Sequence, residues 1–428
     1  MWYMDCRGDA LCHSKWSGEE AKPCCLGVRM KIIHLGNVPP PADFVDRYRV
    51  KATHPGRWVL NHAIAQKRAG MDVEVVAQAH KATEDFICEI EGVKVHFLRT
   101  FHPYRHFTFY AIDQFRMASY VKKLRPDIVH AHGTEAAYAL AAIRTGLPFC
   151  VTAQGLFFQI LPTLPPGLHL NERFIRMSEH CAWKRTRHAI AKSEYVRDAL
   201  AKEYPHLDLT LIPNTYQPEL DGELKPKTGK KLAFVGTIDE RKGVLLIAEA
   251  MKEVVKQHPD VELHIVGNPP EGTGTPYAIE QLASLRQTLG ERLVLHGRLP
   301  STELFAVLDA CVALLAPSLE EMFGNQLIEG LMRGCHGIVA EGTALAENVR
   351  RFGNGAVVAQ NDPAALATAI CDVLAKPVTA GKAESARQAI RDYMSPAVVA
   401  EKHRVFYARI VGKPNQTDRM SEGKVSLD

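Results

Sequence analysis

The sequence predicts an α/β protein with two Rossmann-like, doubly wound parallel-sheet domains facing a central cleft. Three observations lead there. Short apolar runs alternate with helical patterns from Met30 onward. The alternation stops at a polar stretch and then restarts. The runs are rich in Val, Ile, Leu and Ala, as strands covered on both faces of a parallel sheet must be.

In the first half, strands are expected at 31–35, 73–77, 93–97, 126–132, 148–153 and 188–192. Helices are expected at 58–69, which Gly70 closes, and at 115–124, 135–145, 172–185 and 194–203. A segment ends at 209–213, and the polar stretch 218–231 reads as a linker. In the second half, strands are expected at 231–235, 261–266, 293–296, 312–316, 337–340 and 356–359. Helices are expected at 244–258, 277–289, 302–310, 327–333, 344–351 and 363–375. The domain reading is an appended tail over 1–29, one domain over 30–212, a second over 213–394, and a helix over 395–411 that packs back on the first. Residues 412–428 form a polar tail, expected to be disordered.

Composition excludes several classes. The chain has 428 residues, 46% of them apolar and 23% charged, enough for two or three domains with buried cores. A net charge of +4 does not argue for nucleic-acid binding, which needs a clustered basic face. No run reaches the roughly 20 apolar residues of a membrane span. The first 28 residues lack the apolar core of a signal peptide, and Met30 is a candidate initiator. Cys6, Cys12, Cys24 and Cys25 lie in the tail without a CxxC pair. The other six cysteines are scattered in apolar segments and read as reduced core thiols of a cytoplasmic protein.

The stretch Pro317 to Glu329 carries the most chemistry. Glu321 and Glu329 stand eight positions apart, separated in part by Phe323-Gly-Asn-Gln326. An apolar run precedes them and a helical pattern follows, so one acid falls on a loop and the other in the first turns of a helix. The amides of Gly324, Asn325 and Gln326 then sit at the helix N-terminus, where unpaired N–H groups and the dipole attract anions. Two acids for a polyol beside a phosphate-binding helix end describe a nucleotide-sugar site. A second motif, Phe234 to Gly243, places Arg241 and Lys242 on a glycine-started turn after a strand. Ligands of open parallel sheets bind at the carboxyl ends of strands, so Lys242 is placed to reach a diphosphate. A cation at a helix start opposes the dipole by roughly 0.3–1 kcal/mol, which points to an anionic ligand.

Ile212-Pro-Asn214, Val235-Gly236 with Lys242-Gly243, Ile265-Val-Gly267, His296-Gly297, and Glu321-Met-Phe-Gly324 with Glu329 follow in that order. In these motifs the chain resembles glycosyltransferase family 4 from about Met30 to Val411. The resemblance implies the two-domain GT-B architecture and retaining transfer from a nucleoside-diphosphate sugar. It implies an acceptor-binding first domain and a donor-binding second one. Glu329 would hold the ribose hydroxyls and Glu321 the hydroxyls of the transferred sugar. The backbone of Phe323, Gly324, Asn325 and Gln326 would touch sugar and diphosphate. Lys242 would neutralise the leaving group, with Arg241 in support. Gly236 and Thr237 would line the donor site, and Gly297 and Arg298 would meet the base. The expected partners are a UDP-, GDP- or ADP-linked sugar and a glycan or lipid-linked acceptor, with no nucleic acid, no cofactor and no metal. Peripheral contact at the inner face of a membrane is a further expectation, and surface-polysaccharide or glycolipid assembly the expected setting.

The chain departs from the family pattern in three places. Thr237 stands where an arginine is common, and Arg241 is the candidate substitute. Only Gly56 of the usual glycine pair remains, with Arg57 as a phosphate or acceptor contact. Gln154 replaces a histidine and hydrogen-bonds without shuttling a proton near neutral pH. His130 and His132 alternate along one strand and share a face, and a metal there needs a third ligand that sequence does not place; His132 is read as lining the cleft. Tyr104-Arg-His-Phe107 and Lys122-Lys-Leu-Arg125 read as solvated surface. The main rival is a catalytically weak homologue that binds nucleotide sugar and partners an active transferase. A nicotinamide-dependent oxidoreductase is disfavoured because no GxGxxG follows any strand, and a phosphorylase because no cofactor-lysine context is visible.

Overall fold

The computed structural model describes residues 30–50, 57–100, 108, 110–134, 136–163, 170–269 and 275–412. The first sheet comprises β1 (Lys31–Leu35), β2 (Asp72–His80), β3 (Phe86–Ile90), β4 (Val93–Thr100), β5 (Ile128–His132), β6 (Phe149–Thr152), β7 (His188–Ala191) and β8 (Asp208–Leu211). Its order is β3-β4-β2-β1-β5-β6-β7-β8. The second comprises β9 (Lys231–Val235), β10 (Glu262–Val266), β11 (Leu293–Gly297), β12 (Ala313–Ala316), β13 (His336–Ala340) and β14 (Gly355–Val358). Its order is β11-β10-β9-β12-β13-β14. Every pairing is parallel except β3 with β4.

Alternation along each strand feeds two cores. Ile32 joins Val59, Leu60 and Ala63 of the Trp58–Arg68 helix on one face. Its neighbour Ile33 joins Tyr138 and Trp183 on the other. Each such buried side chain contributes on the order of 1.5–3 kcal/mol. The Pro396–Val411 helix seats Val399, Phe406 and Tyr407 in the same cluster as Val59 and Leu60. Arg404 Nη2 donates to the Ala69 carbonyl at 2.7 Å, tying the last helix to the first domain.

Besides the short helix Phe157–Ile160 and a few 3-10 turns, three elements have no counterpart among those expected from sequence. The Ala42–Tyr48 helix has no buried residue, so no apolar stripe marks it. The β3 strand is an antiparallel edge with alternating burial, unlike the solid apolar runs around it. The Ala380–Met394 helix buries Ala383, Ala386, Ile390 and Met394 together with Arg387, a stripe that the arginine interrupts in a polar sequence. Thr379 caps it by accepting from Lys382 N at 3.3 Å.

Both sheets change winding direction at one strand. In the first sheet β1 has β2 on one side and β5 on the other. In the second, β9 has β10 on one side and β12 on the other. Crevices open outside the carboxyl ends of strands at such switch points. The loops after β9 and β12 carry Lys242 and Glu321, while β1 and β5 bring in His34, His130 and His132.

Five of the six described cysteines are buried and all six are free thiols. Among the described residues no single helix is long and apolar enough to cross a membrane. Residues 1–29 with their cysteines, Gly56, Tyr104-Arg-His-Phe107 and the tail from 413 lie outside the described residues.

Candidate active site

The geometry of the site in the second domain is built by two loops that lean on each other. After β9, Asp239 accepts from Lys242 N at 2.9 Å and tightens the turn Glu240–Lys242. Gly243 then adopts φ 76°, and a Cβ there would lie 2.3 Å from the Pro317 carbonyl oxygen. Only glycine lets the turn approach the loop after β12 this closely. Leu319 N donates to the Arg241 carbonyl at 2.8 Å and locks the two loops together. Lys242 Nζ consequently donates to Glu321 Oε2 in a partly buried ion pair.

The loop after β12 is held on every side. Ala344 N donates to the Glu321 carbonyl at 3.1 Å, and Asn348 Nδ2 to the Phe323 carbonyl at 2.7 Å. Gln326 Nε2 donates to Glu321 Oε2 at 3.2 Å. Gly324, at φ 82°, opens the Asn325–Met332 helix with no side-chain cap. A Cβ on Gly324 would collide with Leu345. The N-terminus of this helix therefore offers uncapped amides beside the Lys242–Glu321 pair. Glu329 lies one turn further in and meets no side-chain partner among the described residues.

Three acids in this region have different acidities. Burial opposes ionisation of Glu321, but Lys242, with Gln326 and Arg241, holds its carboxyl below the usual range. Burial alone pushes Glu329 up to about 7. Burial likewise raises Glu320 to about 7, against the pull of Arg241. No sequence motif marks Glu320. It is 3% exposed, its Oε1 has no hydrogen-bond partner, and its Oε2 lies 3.6 Å from Arg241 Nη1. Arg241 thus stands behind the loop, on Glu320, while Lys242 faces Glu321. Gly236 follows β9 and Gly297 ends β11, and Thr237 and Arg298 beside them are exposed.

The first domain contributes a floor of imidazoles. His34, His130 and His132 have ligand atoms all within 4.8 Å of one another, so His34 supplies the third imidazole that sequence did not place. Their ring nitrogens already have partners. His34 Nδ1 pairs with His132 Nε2 at 2.7 Å and His34 Nε2 with Gln66 Oε1 at 2.8 Å. His130 meets Tyr407 Oη at 2.7 Å and Thr152 Oγ1 at 2.6 Å. His132 Nδ1 accepts from Gln154 Nε2 at 3.3 Å. Burial keeps the rings neutral, with His34 lowered to about 4, and His130 and His132 well below the ordinary value. Gln154 is thereby joined to His132. Arg57 is not part of this floor: its guanidinium pairs with Glu91, 2.5 Å away, which Arg68 shares.

The two halves touch directly. Ser193 Oγ donates to the Met322 carbonyl at 2.8 Å. Asn214 Nδ2 donates to Asn325 Oδ1 at 3.0 Å, and Asn214 Oδ1 faces His62 Nε2 at 3.4 Å. Glu347 Oε2 accepts from Glu194 N at 2.9 Å and Tyr195 N at 3.2 Å, at the start of the Glu194–Glu203 helix. The structure therefore brings Lys242, Glu321, Gln326 and Asn325 together, and gathers Gln154 with His132 on the opposite wall.

Two parallel-sheet α/β domains with a site at the switch point of the second define the GT-B class. The model for "Glycosyl transferases group 1" matches residues 229–376, and that for "Glycosyltransferase Family 4" matches residues 55–220. The chain belongs to this family of glycosyltransferases. It is 31% identical over 199 residues to a glycogen synthase of Mycobacterium tuberculosis, covering 46% of this chain and 47% of that protein. The chain thus spans about half the length of the curated relatives it matches. In fold it is similar to sucrose-phosphate synthase from Thermosynechococcus elongatus, with a TM-score of 0.71 and 19% identity over 90% of this chain and all of that one. It is also similar to the Anabaena protein HepE, solved with UDP and glucose, with a TM-score of 0.63 and 15% identity over 88% of this chain and 98% of that one.

Proposed function

We propose that the chain transfers a glycosyl group from a nucleoside-diphosphate sugar to an acceptor hydroxyl with retention of anomeric configuration. The observation that carries this reading is the Lys242–Glu321 pair beside the uncapped N-terminus of the Asn325–Met332 helix. A diphosphate entering there meets a cation and free amides, and the sugar meets a carboxylate. Glu329, one turn along, suits the ribose hydroxyls, and the Gly297–Arg298 backbone suits the base. In the step itself, the bond from anomeric carbon to diphosphate oxygen breaks. Lys242 and the helix end take up the charge that develops on the leaving group, with Arg241 behind them. The acceptor oxygen bonds to the anomeric carbon on the face the diphosphate leaves, and its proton passes to the departing phosphate oxygen. Glu321 is not assigned as a nucleophile, because Lys242 and Gln326 hold its carboxylate.

The acceptor, a glycan or a lipid-linked hydroxyl, meets the first domain, where the partly exposed Gln154 is held in place by the buried His132. UDP-sugars are the first donors to test, given the UDP and glucose bound by the structural neighbour in Anabaena. We place the reaction in the cytoplasm, in keeping with the free thiols of the core. The charge on the diphosphate is met by protein groups, so transfer is expected to persist in chelator. NMR of the product from an α-linked donor tests the stereochemistry: an α-linked product supports the proposal, and a β-linked product overturns it.

A further inference from the structure

Lys192 follows β7 at the floor of the cleft and is 6% exposed. Its Nζ donates to Gln154 Oε1 at 2.9 Å and also faces the Gln154 carbonyl oxygen at 3.4 Å. An ammonium has donors only, whereas Gln, Tyr, Thr and neutral His each offer both roles. The direction of each link as far as Gln66 follows from that one fact, and the links beyond it follow because the fully buried Tyr407 hydroxyl, accepting from Gln66, needs an acceptor for its own hydrogen. With its oxygen on Lys192, Gln154 must donate through Nε2 to His132 Nδ1. A neutral His132 that accepts at Nδ1 carries its proton on Nε2, and donates it to His34 Nδ1. His34 then donates from Nε2 to Gln66 Oε1. Gln66 Nε2 donates to Tyr407 Oη at 3.1 Å. Tyr407 passes its single hydroxyl hydrogen to His130 Nδ1, and His130 donates from Nε2 to Thr152 Oγ1.

Each link is satisfied in this direction, and the three imidazoles share one tautomer. The reverse direction satisfies the inner links too, but it turns the Gln154 amide nitrogen onto Lys192, donor against donor. Gln154 is partly exposed, and its second amide hydrogen has no partner among the described residues.

We propose that Lys192 is a positioning residue for the transfer reaction. It sets the direction of this hydrogen-bond chain and so fixes Gln154 with an N–H, rather than its oxygen, available to an oxygen of the acceptor or the transferred sugar. The kinetic part rests on the transferase reading. The tautomers do not, since they are read without substrate.

The test is two-bond 15N–1H NMR of imidazole-labelled protein. The wild type shows the Nε2–H pattern for His34, His130 and His132. Lys192→Met mixes or reverses the pattern in at least one of the three, and Lys192→Arg keeps it. Gln154→Glu accepts from Lys192 but has nothing to donate, so His132 changes to Nδ1–H; this variant decides the matter if Lys192→Met fails to fold. In turnover, Lys192→Met lowers kcat/KM for the acceptor by about tenfold or more, the scale of one charge-assisted hydrogen bond, and Lys192→Arg restores most of it. An Nδ1–H tautomer in any of the three wild-type rings overturns the proposal, and so does an unchanged His132 in Gln154→Glu.

Discussion

At the scale of single residues, the proposed donor site rests on Lys242, Glu321 and the glycine behind them. Lys242→Met removes the cation proposed to meet the leaving group. Turnover should fall by roughly 10²–10³, the usual effect of losing one such electrostatic contact. The same change leaves Glu321 partly buried without its counter-ion, so denaturant unfolding should also show lower stability. Gly243→Ala acts differently. The left-handed backbone alone costs roughly 1–2 kcal/mol, and the contact with the Pro317 carbonyl forces the two loops apart. Donor affinity should drop although no donor-binding side chain has changed; an unchanged dissociation constant would show that the loop contact is not needed. Sequence disclosed these residues because their spacing is local: Lys242 and Gly243 adjoin, and Glu321 and Glu329 share one loop and helix. It did not disclose Glu320, Lys192 or His34. Their roles come from partners far along the chain, such as His132 for His34, and no local pattern marks such pairs.

At the scale of elements, strands were legible where they are covered on both faces, as in β12, which is buried throughout. The β3 edge and the Ala380–Met394 helix were not, because alternating burial and an apolar stripe interrupted by Arg387 leave weak patterns. The switch-point strands also set a pH response. His34 is lowered to about 4 and His62 to about 3, and His130, His132 and His403 lie well below 6.5, with burial the leading cause. Below about 6.5 the unfolded chain takes up protons that the folded chain refuses, so stability falls as pH drops from 6.5 toward 4. Glu320 and Glu329 act in the opposite sense. Each is raised from 4.5 to about 7, so the stability each withdraws as pH rises through that window returns on acidification. Five histidines outweigh two acids, because each tenfold change in a group's proton affinity on folding is worth about 1.4 kcal/mol. The melting temperature should therefore be lower at pH 5 than at pH 7. An equal or higher value at pH 5 would mean that the imidazole floor is hydrated or charged in the folded protein.

At the scale of the whole molecule, the domains meet through apolar packing, with Met322 seated in the core of the first domain, and through several directional contacts. Glu347 reaches across to the first amides of the Glu194–Glu203 helix, whose own cap Ser193 accepts from Val196 N and donates to the Met322 carbonyl. A carboxylate at a partly buried helix N-terminus contributes up to about 2 kcal/mol. Glu347→Ala should widen the cleft, seen as a larger radius of gyration in solution scattering, and slow transfer several-fold through loss of alignment. An unchanged radius would show that the other contacts suffice to hold the domains together. None of these contacts was readable from sequence; the motif position of Asn214 was visible, but its link across to His62 was not.

The decisive measurement for the donor site is thermal shift with UDP-, GDP- and ADP-sugars on wild type, Lys242→Met and Glu329→Gln. A ligand that binds only the native state raises the melting temperature by mass action. One nucleotide class should stabilise the wild type, with the shift largely lost in Lys242→Met and reduced in Glu329→Gln. No stabilisation by any of the three classes, or a full shift retained in both variants, would contradict the site assigned to Lys242, Glu321 and Glu329.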